Sequence, residues 1–303
     1  MSPAGLLAVY CLLIMVASMT GGMLPSLVRL THTRMQLLMS FVGGLMMGVA
    51  ILHLLPHAVV ETQSLDDVAI SAMAGLLVMF FLIRTFHVHQ HTPADGHPEA
   101  SCDKHEHAHD PVGVFDSQRC HRHPLSWIGL AIGLSLHTMI DGIALAAGVS
   151  MEAIEGDTSL LAGLGVFLAV LLHKPLDALS ITTVMSAGGW STKRVWFVNL
   201  GFGLMCPLGA LAFYFGVTEL FHEQHAIVGC SLAFAAGVFL CISLADLLPE
   251  VQFHKHDRVK LSLALLFGVF VAYLIGFLEP AHTHQKQDSL QQVHETHHDG
   301  HTH

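Results

Sequence analysis

Apolar residues run in long blocks along this chain, separated by short polar intervals. Eight blocks reach the roughly 20 residues that cross a bilayer as a helix. They cover about 4–28, 37–60, 68–86, 125–150, 158–187, 194–218, 226–249 and 259–279. Glycine is frequent inside them (Gly43, Gly44, Gly48, Gly201, Gly203), as suits close approach of helices in lipid. The pattern predicts an all-α polytopic membrane protein of eight transmembrane helices, with no long soluble domain. The first block has no Lys or Arg before Arg29, so it lacks the basic region of a cleaved signal peptide and reads as a retained helix. The division expected is spans 1–3 in 1–86, a histidine-rich loop in 87–124, spans 4–5 in 125–187, spans 6–8 in 188–280 and a tail in 281–303.

Composition narrows the classes. Of 303 residues, 52% are hydrophobic and 12% charged, against about 25% charged in soluble domains. The mean hydropathy is +0.58, and the formal net charge is −10. A disordered chain, a nucleic-acid binder with a basic face and an ordinary soluble enzyme are all excluded. The 25 histidines point instead to a partner that seeks imidazole. Cysteine says little: Cys11, Cys206, Cys230 and Cys241 lie in apolar blocks, and Cys102 and Cys120 form no CxxC.

The polar intervals alternate in charge. Of the 13 basic residues, 11 follow spans 1, 3, 5 and 7: Arg29, Arg34, Arg84, Lys104, Arg119, Arg122, Lys193, Arg194, Lys255, Arg258 and Lys260. The other intervals carry Glu61, Asp66, Asp67, Glu152, Glu155, Asp157, Glu219 and Glu223, with no Lys or Arg. The positive-inside rule places the basic set in the cytoplasm and both termini outside, in a cell or inner membrane.

Internal repetition follows. Phe41–His57 lies over Phe234–Glu250, sharing His53-Leu-Leu-Pro56-His57 against Asp246-Leu-Leu-Pro249-Glu250. Spans 4 and 5 echo each other through His137-x-x-x-Asp141 and His173-x-x-x-Asp177. Spans 2 and 7 cross in opposite senses, which predicts a 3+2+3 inverted-repeat bundle, an arrangement typical of transporters with a midplane site.

His137 and Asp141 share one helix face, as do His173 and Asp177. All four fall near the middle of their spans. A charge there costs about 2.5–3.5 kcal/mol or more, so each group needs a partner or a wet cavity. Two imidazoles and two carboxylates form an N2O2 set suited to a first-row divalent ion, zinc first, with Fe, Mn, Co, Ni and Cu open. Lys174 is the one lysine deep in a span. It pairs with a carboxylate when metal is absent, or it holds the place of a second cation. Pro175 removes a backbone bond and clashes with the carbonyl of Leu171, leaving a freed carbonyl to face the site or take a water.

These residues resemble the ZIP (Zrt/Irt-like protein) family of divalent metal transporters. The resemblance covers nearly the whole chain, and its most specific parts are His137-Thr-Met-Ile-Asp141-Gly142 and His173-Lys-Pro-Leu-Asp177. It implies uptake of zinc or a related ion such as cadmium into the cytoplasm, by alternating access. Thr138 stands where the family often has Asn, Lys174 where many members have a carboxylate or amide, and Asn199 where some supply Glu. The proline stands one position earlier than usual. All of these departures remove ligands from a second site, so a single ion is expected on His137, Asp141, His173 and Asp177, with Lys174 in place of the second.

Further candidates line the expected path. His53 and His57 are read as outer ligands, and Asp246 and Glu250 as inner ones. His57 and Glu250 read equally well as polar helix ends. Met47 is either a soft ligand or a core methionine. The loop 87–124 holds nine histidines and the tail from His282 seven more, candidates for weak chelation. The partners expected are divalent metal ions, the lipid bilayer and a second copy in a homodimer, with no nucleic acid. No Gly-x-Ser-x-Gly is present and no His-Glu-x-x-His falls within an apolar block, so the protein is read as no enzyme. An intramembrane zinc-dependent hydrolase and a histidine-rich membrane metal sensor are the alternatives.

Overall fold

Where the polar intervals are described, helix ends show identifiable caps. The computed structural model describes residues 2–27, 32–87, 126–154, 162–220, 224–253 and 258–276. They form α1 (Pro3–Leu27), α2 (His32–Val49), α3 (Leu55–Thr62), α4 (Leu65–His87), α5 (Ser126–Ile154), α6 (Leu164–Ala187), α7 (Thr192–Leu220), α8 (Gln224–Phe253) and α9 (Arg258–Gly276). A π turn, Ala50–Leu54, joins α2 to α3. The two helices and the turn act as one span, so eight helices are long and apolar enough to cross a membrane. The histidine-rich loop after His87 and the tail from His282 lie outside the described residues.

Local chemistry sets the ends. Gln63 turns left-handed at φ 53° after Thr62, and the Ser64 hydroxyl then caps α4 by accepting from the Asp67 N–H at 3.3 Å. Asp66 and Asp67 occupy the first turn of α4, where the helix dipole favours negative charge. The fifth span begins at Leu164 rather than near 158, because Gly163 precedes it at φ 66°. The other spans agree with the hydropathy reading to within a few residues, apart from the earlier start of α2. The π turn has no counterpart in that reading, since a shift of one hydrogen bond leaves hydropathy unchanged. Pro175 does not open its helix: α6 runs unbroken from Leu164 to Ala187.

The helices associate mainly in four pairs: α2 with α9, α4 with α8, α5 with α7 and α1 with α6. Lipid offers no hydrophobic drive for this, so the contacts depend on small residues that let backbones meet. Three pairs use one reciprocal device. A Cβ on Gly44 would strike the Leu265 carbonyl, and one on Gly268 the Phe41 carbonyl. Gly75 and Gly237 stand in the same relation to Phe234 and Ala72, as do Gly142 and Gly209 to Cys206 and Met139. The α2–α9 and α4–α8 crossings match residue for residue: Phe41 with Phe234, Gly44 with Gly237, Ala72 with Leu265, Gly75 with Gly268. In the fourth pair, Gly21 of α1 meets the backbone of Pro175. Large apolar side chains of α4 and α9, such as Ile70, Phe81, Leu263 and Phe267, face outward. Cys11, Cys206, Cys230 and Cys241 are free thiols within helices.

Candidate metal centre

The i, i+4 spacing on α5 and α6 places two His/Asp pairs on facing helix surfaces, and packing brings them together. One ligand atom each from His137, Asp141, His173 and Asp177 lies within 4.8 Å of the others. Asp141 Oδ2 is 3.5 Å from His137 Nε2 and 3.3 Å from His173 Nε2. Asp177 Oδ2 is 3.8 and 3.7 Å from the same two nitrogens. Ligand atoms around a tetrahedral zinc sit about 3.3 Å apart when each is ~2.0–2.1 Å from the ion, so these separations suit a shared divalent cation.

Burial sharpens the chemistry. His137, Asp141 and His173 are buried, while the Asp177 side chain keeps 21% of its exposure. His173 is oriented by its own helix: Nδ1–H donates to the Ala169 carbonyl at 2.8 Å, which turns the Nε2 lone pair towards the carboxylates. Its ring packs edge-on against Phe239 of α8, centroids 6.0 Å apart. His137 Nδ1 and Asp141 Oδ1 are buried without a hydrogen-bond partner among the described residues. Such atoms cost free energy in an apolar interior, and here they belong to the group of four that could hold an ion.

Lys174 is fully buried, its ammonium bonded to Asp141 and 3.2 Å from Asp177 Oδ2, over the Phe202 ring of α7. Lys174 is thus a deep lysine held between two carboxylates. Thr138 and Asn199 give their donors to backbone, Thr138 Oγ1 to Leu134 O at 2.7 Å and Asn199 Nδ2 to Met19 O at 3.3 Å.

Of the path candidates, His53, His57 and Met47 do not join this cluster. His53 lies in the π turn with Nε2 2.7 Å from the Ala272 carbonyl of α9. His57 is half-buried on α3, and Met47 half-buried on α2. Asp246 and Glu250 fall within α8, but their side chains lie outside the described residues. Sequence reasoning missed Phe239, Phe202 and the Ala169 carbonyl, none of which carries a signal of its own. It quoted Gly142 without seeing that it seats α5 against Cys206.

Comparison with known proteins places this geometry. The family model "ZIP Zinc transporter" matches residues 4–276. The chain is 25% identical over 279 residues to zinc transporter ZIP9-B of Xenopus laevis, covering 81% of this chain and 86% of that one. It is 25% identical over 279 residues to zinc transporter ZIP9 of Micropogonias undulatus, covering 80% and 84%. Against zinc transporter ZIP4 of Mus musculus it is 24% identical over 302 residues, covering 82% of this chain and 44% of the relative. These relatives are named as transporters, not enzymes, and the family match runs through all eight apolar helices and both His/Asp pairs: this chain belongs to the ZIP zinc transporter family.

Proposed function

We propose that the protein carries a divalent metal ion, zinc foremost, into the cytoplasm by alternating access. One ion at a time binds near the bilayer midplane on His137, Asp141, His173 and Asp177. The observation that carries this reading is the convergence of those four ligand atoms, within 4.8 Å, on two facing apolar helices. Two neutral imidazoles and two carboxylates neutralise a divalent charge and replace its hydration shell. Lys174 holds the place of a second cation and keeps the carboxylates compensated while the ion is absent. It leaves Asp141 when the ion arrives.

The helix pairing supports alternating access. The centre lies on α5 and α6, which pair with α7 and α1, whereas α2, α4, α8 and α9 pair among themselves. Movement of one group past the other would present the centre first to one side and then to the other. The matched crossings of α2–α9 and α4–α8 support an inverted 3+2+3 repeat. The charge pattern supports inward basic loops and outward termini. Relatives named as zinc transporters support zinc as cargo.

The test is uptake into proteoliposomes, with zinc, cadmium, iron and manganese in parallel, by the wild type and by Asp177→Ala. Asp177 is chosen because it is the least buried of the four. Wild-type uptake, reduced at least about a hundredfold in the variant, is expected. Equal uptake by both removes Asp177 from the site, and no uptake of any ion by the wild type removes the transport reading. Asp246→Ala tests the inner path: turnover should fall while zinc still binds at the centre, and unchanged turnover would take Asp246 off the path.

A further inference from the structure

At the acidic end of the bundle, α3 and α8 carry a second histidine–carboxylate pair. Glu61, in the last turn of α3, is buried, its side chain 1% exposed. His225, the second residue of α8, is 55% exposed and lies with Nδ1 2.7 Å from Glu61 Oε2. Gly229, one turn further along α8, lets the helices meet there: a Cβ would come within 2.6 Å of Thr62 Cγ2 and 2.9 Å of Glu61 Cβ. The pair is therefore held by packing.

A carboxylate offers only acceptors, so the Glu61–His225 contact requires the ring proton on Nδ1. The lone pair is then left on Nε2, in a side chain that is 55% exposed. This is the arrangement by which proteins prepare an imidazole for metal: one ring N–H on a carboxylate fixes the tautomer and raises the basicity of the other nitrogen. The surroundings suit a cation. Asp66 and Asp67 stand exposed on the first turn of α4, four and five residues beyond the end of α3. Among the described residues, Lys and Arg other than Lys174 (Arg34, Arg84, Lys193, Arg194, Arg258 and Lys260) lie at the opposite helix ends. Clustered charge of one sign raises the local concentration of its counter-ion.

We propose that His225, oriented by Glu61, is an outer capture ligand that receives a hydrated divalent ion before it enters the bundle. A single imidazole with water completing the shell binds weakly, as a capture step must if the ion is to move on. This role rests on the transport reading above.

The test is site-resolved carbethoxylation of histidine in the full-length protein, read by mass spectrometry with zinc or magnesium present. Zinc should protect His225 and magnesium should not. In Glu61→Gln, which keeps an acceptor for Nδ1, protection should need about tenfold more zinc. In proteoliposomes, His225→Ala should raise the KM for zinc about tenfold, with the loss falling on KM and not on kcat. Equal modification in zinc and magnesium overturns the proposal. So does wild-type uptake with KM unchanged in His225→Ala, an outcome that leaves the central site standing. Absence of wild-type uptake instead overturns the transport reading, and the protection experiment still decides the dyad.

Discussion

Asp141→Asn is expected to abolish zinc uptake and to destabilise the protein, and adding Lys174→Met should restore most of the stability without restoring uptake. Asp141 is the hub of the centre, contacting both imidazoles and the Lys174 ammonium. Removing one partner of a buried ion pair leaves an uncompensated charge, at a cost of about 3–5 kcal/mol. Asp177, 3.2 Å from Lys174 Nζ, should hold the loss near the lower end. Replacing both partners of such a pair by neutral groups is often nearly neutral, and Asp177, which then lacks its cation, is the least buried of the group, so the double variant should regain most of the lost stability. Its centre would still lack a carboxylate. Thermal unfolding of the purified proteins and uptake in proteoliposomes separate the two effects. A double variant that transports at the wild-type rate would show that Asp141 is structural only.

Gly142→Ala should lose both folded yield and uptake, while Gly201→Ala should resemble the wild type. A Cβ on Gly142 would strike the Cys206 carbonyl and lie 2.7 Å from the Ala210 nitrogen, both backbone atoms of α7. Neither can rotate aside, so α5 and α7 must separate. Overpacking of this kind typically costs about 1–3 kcal/mol. The shift also displaces Asp141, the preceding residue, and a displacement of about 1 Å at a site of fixed geometry costs on the order of a hundredfold in rate. Gly201, on α7, has nothing within 4 Å of its Cβ position and serves as the control. Size-exclusion profiles and uptake rates read both effects, and wild-type behaviour of Gly142→Ala would mean that the helices do not meet so closely.

Much of the centre was legible from four residues. His-x-x-x-Asp occurs twice, each time midway along an apolar block, and an i, i+4 pair has one face to present. Lys174 was legible for a related reason: a deep lysine needs carboxylates, and Asp177 is three residues away. The π turn at Ala50–Leu54 was not legible. Neither was the continuity of α6 through Pro175, where the proline packs against Gly21 of α1. The Glu61–His225 pair was invisible for another reason: its members are far apart in sequence, and each alone is an ordinary residue at a helix end.

By itself, the sequence determined the properties that depend on one segment at a time: which stretches lie in lipid, which face of each helix is polar, and which loops carry the positive charge. Transfer between water and lipid is nearly a sum over residues, so hydropathy fixes the spans without knowledge of their neighbours. The tertiary structure decided which helices meet, because in lipid that choice rests on shape at the backbone. Gly142 against Cys206, Gly209 against Met139 and Gly21 against Pro175 bring α5, α6, α7 and α1 together. That packing joins two helix faces, each carrying a histidine and an aspartate, into one group of four ligand atoms around a shared point.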